Sequence, residues 1–142
     1  MNPPRPRAIK ALSAFHALLY RATRGRLGRR LARHDILLLT TTGRASGRAH
    51  TVPLLYLREE GGLVVIASFA GQDHHPAWYL NLRASPRAEV QIEEERFTVS
   101  ARDATPEERP RLWARAVAEY PGYAGYQGRT ARLIPVVVLQ RP

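Results

Sequence analysis

Six short segments of this chain are either continuously apolar or alternate apolar with polar residues, and this pattern predicts β-strands. Residues 36–41 are a continuous apolar run suited to a buried strand. The next segment, residues 51–57, contains Pro53, which cannot donate to a neighbouring strand and therefore favours a sheet edge or a bulge. Glu59-Glu60-Gly61-Gly62 predicts a hairpin turn into the third strand. The last four predicted strands cover residues 63–68, 88–92, 96–101 and 134–139.

Helical signals occur between and before these strands. Pro76 suits the first turn of a helix over residues 76–84, where its missing N–H costs nothing. Thr105, followed by a proline and two acidic residues, predicts a helix from there to about Tyr120. Residues 120–132 are predicted to form a polar, aromatic loop or a broken helix. Mostly hairpin-linked strands with late helices predict a mainly β protein, a small antiparallel barrel with two to three helices packed outside.

The N-terminal segment has a different character. Its apolar residues recur at helical spacing and predict an amphipathic helix over residues 8–22; they are Ile9, Leu12, Phe15, Leu18 and Leu19. Residues 1–34 hold nine of the 22 basic side chains and none of the 12 acidic ones, so they carry nearly all of the +10 net charge. We therefore expect a single domain made of a basic arm, residues 1–34, and a barrel, residues 35–142.

Composition excludes several classes of protein. With 142 residues the chain has room for one domain with a core but not for two ordinary ones. It has no cysteine, which excludes disulfides, thiolate metal ligands and a cysteine nucleophile. Asp73-His74-His75 lacks a third ligand at useful spacing, so no metal site is predicted. No apolar run has the length of a membrane span. Lys10, His16 and Arg21 interrupt the first apolar stretch, which argues against a signal peptide and for a cytoplasmic protein.

The residues after the first predicted strand have the chemistry of an anion-binding turn. Thr40-Thr41-Thr42-Gly43-Arg44-Ala45-Ser46-Gly47-Arg48 combines glycines, hydroxyl groups and arginines. Glycine allows positive φ and close approach of a ligand, and successive free N–H groups bind phosphate or carboxylate. The arginines add charge-assisted hydrogen bonds. The spacing is neither that of a P-loop nor that of a dinucleotide-binding turn, and an ordinary polar hairpin loop is the alternative.

Several segments together resemble the deazaflavin-dependent nitroreductase family, whose actinobacterial-type members use coenzyme F420 on a split β-barrel. The resemblance runs from about Tyr20 to Leu139. Besides residues 37–48, it is carried by Thr51-Val52-Pro53-Leu54, Ala67-Ser68, Pro76-Ala77-Trp78-Tyr79-Leu80-Asn81-Leu82 and Tyr120-Pro121-Gly122-Tyr123 with Tyr126. It implies the split barrel of FMN-binding and pyridoxamine-phosphate-oxidase-like proteins.

The resemblance also implies roles for individual residues. The loop would hold the phosphodiester and glutamates of the deazaflavin tail, and the flat walls of a cleft would hold its ring. The implied cofactor-binding residues are Thr42, Gly43, Arg44, Ala45, Ser46, Gly47, Arg48, His50, Pro53, Ala67, Ser68, Ala77 and Trp78. Those implied to cover, orient or protonate the substrate are Tyr120, Tyr123, Tyr126, Ser68 and Tyr56. The chain departs from the family pattern at Ala45, where most relatives have lysine, at His50, where arginine is common, and at Leu55, often a second tyrosine.

The resulting functional hypothesis is hydride transfer from reduced F420 to a small apolar acceptor such as a quinone, nitroaromatic or unsaturated carbonyl compound. The three departures motivate an alternative, a non-catalytic deazaflavin or lipid carrier, and a further alternative is an FMN-binding flavoprotein. Because quinones dissolve in membranes, the basic arm is expected either to contact anionic lipid at the inner face of the cell membrane or to cover the barrel core. Nucleic-acid binding is disfavoured, because the arm lacks interleaved aromatic residues. A monomer is expected.

Overall fold

In a computed structural model of the chain, residues 35–142 are described, and the predicted helix over residues 8–22 lies outside them. Seven strands and three helices follow one another. The strands are β1 (Ile36–Thr42), β2 (Ala49–Leu55), β3 (Leu57–Glu59), β4 (Gly62–Ile66), β5 (Arg87–Ile92), β6 (Glu95–Asp103) and β7 (Val136–Gln140). The helices are α1 (Ala77–Ala84), α2 (Arg109–Glu119) and α3 (Gly122–Gly128), and a short 3-10 turn covers Phe69–Gly71. None of these helices is long and apolar enough to cross a membrane.

The strands form one antiparallel sheet in the order β2-β1-β5-β6-β7-β4-β3. Strands β2 and β3 lie at opposite ends of this order, yet only Tyr56 separates them in the sequence. A single residue can join both edges only if the sheet curls round until they meet. Tyr56 is buried at this corner, and its N–H donates to the Asp35 carbonyl at 3.1 Å. The mainly β, half-barrel fold is therefore confirmed.

The curled sheet separates two apolar clusters. The inner core holds side chains from most strands and from α1, including Leu37, Val65, Trp78, Val90 and Leu139. The outer cluster lies between α2, α3 and the opposite face of β4 and β7, where Val64 and Val138 meet Leu112 and Tyr123. Alternating side chains on β4 and β7 supply both clusters, which explains the nearly continuous apolar runs in these two strands.

Most predicted elements are confirmed, and three differ. Seven strands form instead of about six, because the chain turns the barrel corner at Tyr56 and divides the second predicted strand. Helix α2 begins at Arg109 rather than near Thr105, since Pro110 has no N–H to donate back to Pro106. Thr105 still makes the predicted cap contacts: its hydroxyl accepts from Glu108 N–H at 3.2 Å, and its own N–H donates to the Glu108 carboxylate at 2.8 Å. The segment left open as loop or broken helix contains α3.

Candidate functional site

The loop between β1 and β2 is a tight, hydrogen-bonded turn. The Gly43 N–H donates to the Arg48 carbonyl at 2.7 Å, and the Gly47 N–H donates to the Gly43 carbonyl at 2.8 Å. Ser46 accepts from the Arg48 N–H at 3.1 Å through its hydroxyl oxygen, which leaves the hydroxyl proton able to donate elsewhere. Gly47 has a φ of +70°, so the turn requires the left-handed conformation that the glycine permits.

This turn, called here the anion loop (residues 43–48), has the capacity to bind an anion. A Cβ at Gly43 would come within 2.6 Å of Ser46 Oγ and 2.7 Å of His50 Nε2, so these two side chains pack directly over the Gly43 backbone and would have to shift for any larger residue. Within residues 35–142, the N–H groups of Ala45 and Ser46 donate to no protein acceptor. These two neighbouring amides, without an acceptor in the described part of the chain, lie between two exposed arginines, an arrangement that suits an anion, and the phosphate or carboxylate site stays a prediction.

Asn81 of helix α1 anchors the anion loop, and the sequence analysis did not assign it a role. Its side-chain carbonyl accepts from the Arg44 N–H at 3.1 Å and from the Arg44 guanidinium at 3.0 Å. Its side-chain NH2 donates to the Thr41 hydroxyl at 3.1 Å. The position of Asn81 within the Trp-Tyr-Leu-Asn-Leu motif was the one signal in the sequence that could have identified it.

Two predicted ring-binding residues occupy different faces of the sheet. Trp78 lies in the inner core, 7% exposed, with its ring 6.3 Å from that of Tyr79. Pro53 pairs with Leu38 on β1 and shares the outer face of the sheet with it. The shared cleft of Trp78 and Pro53 therefore stays a prediction. Ala67 and Tyr56 lie with Trp78 in the inner core, and Ala77 is exposed in the first turn of α1.

Ser68 begins a turn with unusual backbone conformations. Phe69, Ala70 and Gly71 have φ values of 45°, 51° and 78°, and the first two are not glycine. Such conformations cost free energy and persist only where surrounding contacts hold them. Gly71 packs directly on α3: a Cβ at this position would come 2.9 Å from the Tyr126 carbonyl oxygen. The turn that carries Ser68 is thus in backbone contact with the helix that carries two of the predicted tyrosines.

Arg132 holds this turn, and sequence reasoning also missed it. Its guanidinium donates to the carbonyls of Ser68 at 2.7 Å, Gln72 at 2.8 Å and Ala67 at 3.2 Å, and to His75 Nδ1 at 3.0 Å. Burial lowers the pKa of Arg132, and burial together with the Arg132 charge lowers the pKa of His75. A neutral His75 is the form whose Nδ1 can accept from the guanidinium.

The three tyrosines implied to act on the substrate come together, although only Tyr123 and Tyr126 belong to α3 and Tyr120 lies between the two helices with an extended backbone. The hydroxyls of Tyr120 and Tyr126 lie 3.1 Å apart, and the Tyr120 and Tyr123 rings are 5.0 Å apart edge to face. Burial, with the hydrogen bond to Tyr120 as a second cause, raises the pKa of Tyr126 to about 12. Burial also raises the pKa of Tyr123. Both phenols therefore keep their protons at neutral pH, and in the pair of Tyr120 and Tyr126 either hydroxyl could be the donor.

A small cleft of about 10 Å³, the volume of roughly one water molecule, lies beside this cluster. Tyr56, Tyr120 and Tyr123 line it together with apolar side chains such as Leu55 and Ile66. Three of the five residues predicted to act on the substrate therefore line one cleft, while Ser68 lies in the turn whose Gly71 contacts the backbone of Tyr126.

Comparison with known proteins places these features in a family. Residues 13–141 match the model of the F420H(2)-dependent quinone reductase family. An F420H(2)-dependent quinone reductase of Mycobacterium tuberculosis is 39% identical over 135 residues, which cover 92% of this chain and 90% of that protein. A putative F420H(2)-dependent quinone reductase of the same organism is 40% identical over 104 residues, or 73% of this chain and 87% of the relative.

Solved structures agree with the sequence comparisons. A structure described as an F420-H2 dependent reductase superposes with a TM-score of 0.68 at 42% identity, covering 75% of this chain and 94% of the other. The haem storage protein HutZ of Vibrio cholerae has a TM-score of 0.60 at 18% identity, covering 78% and 84% of the two chains, and shares the fold alone.

Proposed function

The chain belongs to the F420H(2)-dependent quinone reductase family, and from this premise we propose that it transfers a hydride from reduced coenzyme F420 to a small apolar acceptor, with a quinone as the favoured class. The observation that carries the proposal is the anion loop: the amides of Ala45 and Ser46, which have no acceptor within residues 35–142, lie between Arg44 and Arg48, and there is open space beside Gly47. The tail of F420 has a phosphodiester and glutamates, which such a loop is suited to bind.

The residues of the anion loop fit the tail of the cofactor, but they offer one contact fewer than in most relatives, which have lysine in place of Ala45. Arg44, Ser46 and the loop amides would hold the anionic tail, and His50 lies against Gly43 at the edge of the loop. Ala45 offers no ammonium, which removes a contact worth about 1.5–3 kcal/mol where a lysine bonds the anion directly. Trp78 and Pro53 lie on opposite faces of the sheet, so of these two predicted ring walls only Trp78, on the same helix as Asn81, is proposed as a wall for the ring.

Reduced F420, when bound, supplies the hydride from C5 of its ring. The task of the protein is then to place an electrophilic carbon of the acceptor about 3–3.5 Å from that atom and to exclude water. The cleft beside Tyr56, Tyr120 and Tyr123 has room for only about one water molecule, so the tyrosines and apolar side chains that line it are proposed as one wall of the acceptor site rather than as its pocket. Tyr126 and Tyr120 hold phenolic protons within one hydrogen-bonded pair, from which a reduced, anionic acceptor oxygen could draw a proton.

The first test is a titration of the purified protein with oxidised F420, followed by cofactor fluorescence, with FMN titrated in parallel. Saturable binding of F420 alone, followed by turnover of F420H2 with a quinone, supports the proposal. Binding of F420 without turnover across quinone, nitroaromatic and enone acceptors supports the carrier alternative instead. Preference for FMN, with a yellow protein on purification, overturns the cofactor assignment.

We also propose that the protein is a cytoplasmic monomer whose arm, residues 1–34, binds anionic membrane where quinones dissolve. Nine basic side chains without an acidic one motivate this proposal. The full chain should sediment with vesicles containing anionic lipid at low salt, and a chain lacking residues 1–20 should not. Equal sedimentation of both would overturn the arm's role. One solved structure with 42% identity is described as a domain-swapped dimer, so light scattering of the full chain should test for a dimer.

A further inference from the structure

We propose that Asn81 is a positioning residue for the cofactor tail: it holds Arg44 and the anion loop in the arrangement that receives the phosphodiester and glutamates. This inference rests on the proposed function, since it concerns the tail of F420. In the proposed arrangement Asn81 makes no contact with the ligand and acts through Arg44.

The burial of Asn81 shows that its amide is committed to this contact. Its side chain is 2% exposed, and so is that of Thr41, to which it donates. Its carbonyl oxygen accepts from both the N–H and the guanidinium of Arg44. One buried amide therefore joins the end of β1, the backbone of the anion loop and the side chain of an otherwise exposed arginine. A buried amide with every one of these bonds made fixes its neighbours in one geometry.

A neutral amide is the group that can hold Arg44 without cancelling its charge. One guanidinium N–H donates to Asn81, and the other four have no acceptor within residues 35–142 and can donate to an anion. A carboxylate in the same place would keep the acceptor but would pair with Arg44, which reduces the attraction for phosphate. Holding a long side chain in its bound rotamer beforehand also lowers the entropy cost of binding.

Asn81 also links the two parts of the proposed site. It lies one turn after Trp78 on α1, so the helix that contributes the proposed ring wall is tied to the loop that receives the tail. A substitution at Asn81 should therefore weaken the binding of the cofactor tail alone, whereas a general disruption of α1 should weaken the binding of the ring as well.

This difference defines the experiment. The affinities of wild type, Asn81→Asp and Asn81→Ala are measured for F420 and for the deazaflavin that has the ring and ribityl chain but neither phosphodiester nor glutamates. Asn81→Asp can keep all three hydrogen bonds, because the Thr41 hydroxyl can rotate to donate, and it serves if the alanine variant fails to fold. Ala84→Asp is the matched control, since it adds the same charge at an exposed position of α1.

We expect Asn81→Asp to weaken F420 binding about tenfold or more and Asn81→Ala to weaken it roughly three- to tenfold. The affinity for the tail-free deazaflavin should change less than twofold in both variants, and Ala84→Asp should leave both affinities unchanged. Equal losses for both ligands would assign Asn81 a purely structural role and overturn the inference. Wild-type binding of F420 with no effect of either variant would overturn it as well. If the wild type binds neither ligand, the proposed function itself fails, which is a distinct result.

Discussion

The guanidinium of Arg132 donates to the main-chain carbonyl of Ser68 at 2.7 Å, although the two residues are 64 positions apart in the sequence. Through this bond, the segment between α3 and β7 holds the turn that follows β4. The same guanidinium reaches two further carbonyls of that turn, which makes Arg132 the principal clamp on a backbone segment with three consecutive positive φ values.

Removing this clamp should destabilise the protein. We expect Arg132→Gln to lower the free energy of unfolding by about 2–3 kcal/mol, because hydrogen bonds from a charged donor to buried carbonyls are lost, and Arg132→Lys to lower it by about 1 kcal/mol. Urea denaturation at pH 7 measures both. Arg129→Gln is the control, since Arg129 lies nearby but is exposed, and its guanidinium lies over the Tyr126 ring at 5.7 Å from the ring centre. Equal effects at positions 129 and 132 would contradict the clamp.

Two causes can destabilise a substitution at Gly71: its left-handed backbone conformation and its close approach to α3. A comparison with Gly61 separates them. Gly71 and Gly61 have φ values of 78° and 81°, but a Cβ at Gly61 meets no atom within 4 Å. Gly61→Ala should cost about 1–2 kcal/mol, the penalty for a left-handed residue. Gly71→Ala should cost roughly 1–3 kcal/mol more, since the Tyr126 backbone must move. It should also reduce quinone turnover, whereas Gly61→Ala should not. Matching stabilities and turnover rates would show that the contact is unimportant.

The charge of the anion loop should determine the affinity for F420. Ala45→Lys should tighten binding about tenfold or more by adding a charge-assisted bond, and Arg44→Ala should weaken it by a similar factor. Fluorescence titrations at two salt concentrations measure both changes. Arg87→Ala, which removes an exposed charge at the start of β5, should have little effect. No gain from the lysine would mean that the tail does not pass over position 45.

The hydroxyl pair of Tyr120 and Tyr126 should matter for turnover rather than for cofactor binding. We expect Tyr120→Phe and Tyr126→Phe each to lower kcat with a quinone by about 10²-fold if the pair supplies the proton. Burial and the hydrogen bond to Tyr120 raise the pKa of Tyr126 to about 12, so this donor should retain its proton, with no alkaline loss of kcat, up to about pH 11. Tyr79→Phe, which lies outside this cluster, serves as the control. Unchanged kcat in both cluster variants would assign the proton to water.

Tyr79 should stabilise the fold in a pH-dependent way. Its hydroxyl donates to Asp103, 3.0 Å from both carboxylate oxygens, and burial followed by this bond raises the pKa of Tyr79 to about 12. Because the folded state favours the protonated phenol, the stabilisation is fully present below about pH 10 and is lost as the pH rises towards 12. Tyr79→Phe should cost about 1 kcal/mol at pH 7. Its difference from wild type should shrink between pH 10 and 12, and a constant difference in denaturation midpoints across that range would contradict the bond's role.

The sequence alone determined the elements that local chemistry controls. Apolar runs and turn residues located the strands, and Pro53 correctly indicated an edge strand, since β2 ends the sheet. The glycines of residues 43–48 indicated the anion loop because positive φ and close approach are local requirements. Tyr123 and Tyr126 lie one turn apart on α3, but Tyr120 joins them through the turn between α2 and α3, where its backbone is extended.

Only the tertiary structure decided which distant groups meet. Asn81 reaches Arg44 across 37 positions, and Arg132 reaches Ala67 across 65. The opposite faces of Pro53 and Trp78 likewise depend on register and on how the sheet curls, not on either residue's neighbours. Local patterns specify conformation over a few residues, whereas the order of strands and the closure at Tyr56 bring separated segments together. The partners of a buried polar side chain follow from that closure, which no local pattern in the sequence encodes.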